Sequence, residues 1–354
     1  MQITRIEVIP VELKLREVVR MAGLPEIRHI TAIFLRLELR DGRSAWGCTV
    51  AHPDLTGEKP ADVVRACQAA SALAGDLNPL NMEYSLGVVA SKLKHSPAAL
   101  CAFDLALYDL LGLAADMPLY RLLGGFRDRI QTSATVTIAP VEESVEMAQA
   151  RAGLGFRMLK IKGGVNSEED VQRVKAIHRA LPDHTLRLDA DGGYSVKQAL
   201  DVARELGKMI EMLEQPTPTA DLEGLREVTH YSPVPVLADQ SARTPASALT
   251  LVGGQMVNGL SVKLATCGGV HCAQQMVAVV RAARLDVMIS CVVEPALLTA
   301  AGLSLALSSP AVRYGDLDGF LFVANDPTEP GFRLQDGWLI AGNRPGLGCG
   351  VTLG

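Results

Sequence analysis

A closed parallel α/β barrel carrying an N-terminal α+β cap is the architecture that this 354-residue sequence predicts, and three observations carry the prediction. From about residue 130, short apolar runs alternate with amphipathic helical patterns. The runs end on polar residues at Lys162, Asp189, Glu214, Asp239, Lys263, Ser290 and Asp316, each 24 to 27 residues after the last, the length of one strand–helix unit. With IQTSATVTI at 130–138 these make eight strands, as a TIM-like (β/α)8 barrel or a (β/α)7β variant with an irregular last helix.

The first 125 residues read differently. QITRIEVIPVEL and ITAIFLRLEL alternate as half-buried strands do, and RDGRSAWG, with Asp41-Gly42 as the turn signal, makes them a meander. ADVVRACQAASALAG and SPAALCAFDLALYDLLGLA then place apolar residues three and four apart. The second opens on Ser96 as N-cap with Pro97 in its first turn. The expected domains are residues 1–125, an α+β cap to which about 320–354 contribute, and residues 126–320, the barrel.

Composition narrows the partners. At 48% hydrophobic and 21% charged, with a net charge of -5 and no basic stripe, the chain is expected to act on small molecules and to bind neither nucleic acid nor membrane. Charges interrupt every apolar run of the N-terminus, so no signal peptide is expected there, and Glu294 and Pro295 interrupt the apolar stretch at 292–307. Seven cysteines without a CxxC pair suggest reduced thiols in the cytoplasm. The histidines show no metal-ligand spacing.

In such a barrel the C-terminal strand ends form the active site. Asp189 in LRLDADGG, Glu214 in MLEQP and Asp239 in VLADQS come from consecutive strands and face one mouth. Any one of them alone fits a cap for the following helix. Converging, they would repel unless a hard divalent cation sat between them, and an all-oxygen set favours Mg²⁺ over Zn²⁺. Lys160 and Lys162 in RMLKIKGG project to one face of their strand. On a solvated strand that is a polar stripe; inside a barrel, burial and mutual repulsion should lower the pKa of Lys162 toward that of a usable base. Lys263 lies on the strand after the triad, so the two lysine strands flank it, an arrangement for exchanging a proton α to a metal-bound carboxylate.

LKIKGG, LDADGG, LEQP, LADQS, VKLATCGG and YGDLDG, in this order and spacing, resemble the enolase superfamily, muconate-lactonizing subgroup. The similarity extends to WG, TGE and YRLLGG in the cap and covers essentially the whole chain. It implies Lys160 and Lys162 as the KxK pair, Lys263 as the opposing base, Asp189, Glu214 and Asp239 as Mg²⁺ ligands, and a shared enediolate intermediate. Asp316 and Asp318 in GDLDG resemble the DxD motif with which dipeptide epimerases hold a substrate ammonium group; an Asp-Gly turn or helix cap explains them as well. The implied activity is isomerisation, the epimerisation of a dipeptide by a homo-oligomer.

The chain departs from that pattern at several positions. Asp191 stands where many relatives carry Asn, Gln240 where Glu is common, and Cys48 where a Glu often follows WG; Glu294 matches a family Glu in unusual surroundings. Selectivity is expected from the cap loops at 21–29 and 49–58, where Glu26, Asp54 and Glu58 would suit a cationic side chain and Arg28 an anionic one. Within the superfamily an N-acylamino acid racemase, a cycloisomerase and a hydroxyproline-type dehydratase remain open, and outside it a non-catalytic binding barrel. The glycine pairs 163–164 and 268–269 fit either phosphate cradles or close backbone packing.

Overall fold

A computed structural model describes residues 2–353. The cap begins with an antiparallel sheet in the order β1 (Ile3–Val19), β2 (Ile27–Leu39) and β3 (Ser44–Ala51). The turn segment read as RDGRSAWG is shorter than expected, because Ser44 to Gly47 already belong to β3, paired with β2 from Glu38 back to Leu35. The first helix, α1 (Pro60–Ala70), gives way to a 3-10 turn at Ser71–Asp76. The sequence reading missed α2 (Met82–Lys92), in which only Ser85, Leu86 and Val89 are buried. In α3 (Pro97–Ala115) the Ser96 hydroxyl accepts from Ala99 N at 3.4 Å, as the N-cap reading expects, and Glu58 accepts from Ala98 N at 2.7 Å.

By length and hydropathy α3 could cross a membrane, but it is buried between the cap sheet and the barrel. Its Asp104 reaches across that junction. The buried carboxylate accepts from Val270 N at 2.6 Å and His271 N at 3.1 Å, capping a barrel helix from the other domain. A Cβ on Gly269 would lie 2.4 Å from Asp104 Cγ, so the second glycine pair serves close packing. The short α4 (Leu119–Leu122) ends the cap segment.

The run at 130–138 is two strands, not one. β4 (Arg129–Gln131) pairs antiparallel with the C-terminal tail, and only β5 (Ala134–Val136) enters the barrel, beside β6 (Met158–Lys162). The barrel continues through β7 (Thr185–Asp189), β8 (Ile210–Glu214), β9 (Val236–Ala238), β10 (Gly259–Lys263), β11 (Asp286–Ser290) and β12 (Val312–Asp316), in unbroken spatial order. A bridge from Thr132 to Gly315, with Ser133 N to Gly315 O at 3.1 Å, brings its two edges together. Helices α5 (Val141–Gly153), α6 (Ser167–Ala180), α7 (Val196–Leu206), α8 (Leu222–Tyr231) and α9 (Pro245–Gly253) follow β5 to β9. β10 is followed by α10 (Leu264–Cys267) and α11 (Val270–Ala282), and β11 by α12 (Ala296–Ala306). After β12 comes only a 3-10 turn at Gly319–Phe322, so the barrel is the (β/α)7β variant.

The tail touches both parts. β13 (Thr328–Glu329) pairs with β16 (Gly350–Val351), and β14 (Phe332–Gln335) with β15 (Trp338–Ala341), which also holds β4. Ala324 N donates to Lys14 O at 2.8 Å in the cap sheet. Below the mouth, Met212, Leu237, Met288 and Tyr314 form an apolar plug, and the buried Arg187 packs 5.1 Å from the Tyr314 ring while donating to Glu211 at 2.8 Å.

Replacing Asp104 by Ala leaves two buried N–H groups at the start of α11 without a partner. Chemical denaturation should show a loss of about 2 kcal/mol, and a variant as stable as the parent would show that the cross-domain cap contributes nothing.

Candidate active site

Pairing register sets the site. Lys162 stands beside Asp189, Asp189 beside Glu214, and Lys263 beside Ser290, which stands beside Asp316, so these strand ends share one level at the barrel mouth. β9 is short, and Asp239 lies just beyond it, where Gln215 Oε1 accepts from its backbone N–H at 2.9 Å. One carboxylate oxygen each from Asp189, Glu214 and Asp239 falls within 4.8 Å of the others.

That triad fits a cation. Glu214 is buried, and neither of its carboxylate oxygens has a hydrogen-bond donor among the described residues; Lys160 Nζ lies 3.1 Å from Oε2 without bonding alignment. Burial, with Asp189 and Asp239 beside it, pushes the Glu214 carboxyl up to about 8. Asp189 behaves oppositely. Burial would raise it, but Lys160, Lys162 and Lys263 hold it well below the usual carboxylate range. A buried, unbonded carboxylate beside two others is costly without a positive charge between them, and all the donors are hard oxygens.

The lysines do not behave as mutual repulsion predicted. Lys160 Nζ lies 2.9 Å from Asp189 and 2.7 Å from Asp316. Lys162 Nζ lies 2.8 Å from Asp189 and 3.0 Å from both oxygens of Asp191, and Lys263 pairs with Asp239. Burial alone would lower each lysine, but the surrounding carboxylates outweigh both burial and the neighbouring ammonium groups. All three lie above the ordinary lysine value. The expected depression of Lys162 by Lys160 is therefore corrected: the carboxylates of the neighbouring strands stand closer than a reading of one strand can show.

Asp316 accepts from Ser133 Oγ at 2.7 Å, Ser290 Oγ at 2.6 Å and Lys160, which together hold it at about 2 against the effect of burial. Asp318 accepts from Thr135 N at 2.6 Å and Thr135 Oγ1 at 3.2 Å, and burial with Asp316 beside it raises it to about 6. Both line a cavity of about 170 Å³ under the cap, together with Lys160, Lys162, Asp239 and Lys263. Three lysines and two separated groups of acids thus surround one space, an arrangement suited to holding a zwitterion while moving a proton.

The model of the family described as enolase C-terminal domain-like matches residues 142–352. The chain belongs to this family. It is 34% identical over 334 residues to an L-Lys-D/L-Arg epimerase of Methylococcus capsulatus, a match spanning 91% of this chain and 92% of that one. It is 33% identical over 352 residues to a hydrophobic dipeptide epimerase of Enterococcus faecalis, spanning 98% and 99%. The crystal structure of a dipeptide epimerase from Enterococcus faecalis complexed with Mg and L-Leu-L-Tyr superposes with a TM-score of 0.95 at 32% identity over 99% of each chain.

In this enolase-type site the cap contributes less charge than the sequence suggested. Asp54 lines the cavity, with Met21, Leu24 and Leu55. Glu26 does not: in the segment just before β2 it is exposed and paired with Arg20 at 3.0 Å and Arg28 at 2.7 Å. Glu58 is used by α3. Glu294 is also outside the cavity, buried against Val292 N at 3.3 Å and Thr299 Oγ1 at 3.1 Å and pushed by burial up to about 8. The sequence reading missed Arg243, which lines the cavity beneath Gly57 and makes no ion pair among the described residues. Its only signal was a cation four residues after Asp239.

The loops after β6 and β7 meet so closely that a Cβ on Gly193 would lie 2.0 Å from Gly164 O. Gly193→Ala is therefore expected to force apart the loop that follows Lys162 and the loop that carries Asp191, lowering Tm by several degrees and activity with it. An unshifted melting curve would mean that this contact yields freely.

Proposed function

We propose that the protein is a Mg²⁺-dependent dipeptide epimerase, inverting the carbon α to the free carboxylate of its substrate. The observation that carries this is the placement of Lys162 and Lys263, whose strands flank the acidic triad, on one cavity with Asp316 and Asp318. Asp189, Glu214 and Asp239 would hold the metal, which supplies a Lewis acid for the negative charge that develops as the α-proton leaves. One lysine, as the free amine, takes the proton; the other, as ammonium, returns a proton to the opposite face. Asp318, with Asp316 behind it, receives the substrate ammonium group. That anionic end favours a free N-terminus over an N-acyl group, which would leave a buried carboxylate without its cation. We also propose a cytoplasmic setting, supported by free thiols at every cysteine, and a homo-oligomer, supported by exposed Phe126, Leu154 and Tyr231.

Incubation with Mg²⁺ and pooled L,L-dipeptides in D₂O should add about one mass unit to a subset of peptides. N-acetyl amino acids serve as the competing substrates, and uptake confined to them would replace this reading with a racemase.

The pH dependence follows from Asp318. Its carboxyl, raised to about 6, takes a proton as pH falls through that value and loses its attraction for the ammonium group. In the free enzyme kcat/KM should thus fall about tenfold per pH unit below 6, and Asp318→Asn should remove that limb of the profile. A limb that survives the substitution would belong to another group.

A further inference from the structure

We propose that Asp191 is the positioning residue for Lys162 and that Gln240 orients Asp191, an assignment that rests on the epimerase reading. Both Asp191 oxygens lie 3.0 Å from Lys162 Nζ, and the side chain is only 4% exposed. Oδ1 also accepts from Gln240 Nε2 at 3.1 Å. The amide is oriented by this contact, since the reverse orientation would set its oxygen against a carboxylate. Asp191 and Gln240, two of the positions at which the sequence differs from the family pattern it resembles, are therefore hydrogen-bonded partners.

The two bases are held unequally. Among the described residues Lys263 forms an ion pair only with Asp239, a member of the triad. Lys162 contacts Asp189, also of the triad, and in addition Asp191, which is not part of it. With a cation held by the triad oxygens, Lys162 would still have Asp191 as an anionic partner outside the triad, whereas Lys263 would share its one partner, Asp239, with the metal. The backbone at Asp191 supports this role: with φ of 45° it lies in the left-handed region, and its N–H donates to Asp189 Oδ1 at 3.1 Å, which aims the carboxylate at the lysine. Asn tolerates the same backbone, so Asp191→Asn removes the charge without straining the turn.

The test uses the Mg²⁺-loaded protein and a dipeptide that it epimerises, following α-proton exchange in D₂O from each epimer separately. Lys162→Ala identifies the epimer whose proton faces Lys162. Asp191→Asn should slow exchange from that epimer by about 10- to 100-fold and leave exchange from the other, the Mg²⁺ affinity by calorimetry and the melting temperature near the parent values. Gln240→Leu should act on the same epimer with a smaller effect. Equal loss from both epimers, no loss from either, or weakened Mg²⁺ binding would overturn the assignment, the last by making Asp191 a ligand. If the parent protein exchanged no dipeptide, the epimerase reading itself would fall, and this one with it.

Discussion

Everything at the barrel mouth depends on pairing charges that have been taken out of water. Lys160, Lys162, Lys263, Asp189, Glu214, Asp239, Asp316 and Asp318 are all buried in one layer. Withdrawing any one of these ions from water costs several kcal/mol unless an opposite charge or a set of hydrogen bonds is already in place. The scaffold meets that demand through register. Eight parallel strands put their ends at one level, the plug of Met212, Leu237, Met288 and Tyr314 closes the barrel below, and the cap closes it above. Ser133, Ser290 and Thr135 then fix the orientation of the Asp316 and Asp318 carboxylates, and the Gln215 side chain holds the backbone N–H of Asp239.

Much of this was legible in the sequence because a barrel repeats. A strand that stops on a charge every 24 to 27 residues is a periodic signal, and the triad and the lysines follow from it directly. The fold was less legible where tertiary pairing overrode local preference. IQTSATVTI reads as one strand, yet the tail hairpin takes up Arg129–Gln131 and leaves Ala134–Val136 to the barrel. Nothing within the run marks that division.

The substrate-facing residues divide along the same line. Asp316 and Asp318 sit on or just beyond a barrel strand, and both face the cavity. Glu26, Glu58 and Glu294 have the same chemistry but point to an arginine pair, a helix end and a threonine, because loop and linker geometry is not periodic. Arg243 shows the converse, a residue with no motif that the loop after β9 turns into the cavity.

The lysine pKa values show why charge constellations cannot be read one strand at a time. Two lysines on one strand predict mutual depression, but each ammonium group responds to the summed field of every nearby charge, and the carboxylates of four other strands dominate it. The base strength of Lys162 therefore belongs to the whole layer. The same carboxylates that now hold the lysines above their ordinary value would share their charge with a dication on the triad, and the lysines would then move back down. Metal affinity and base strength are thus two consequences of one electrostatic balance, and a substitution at a ligand must alter both.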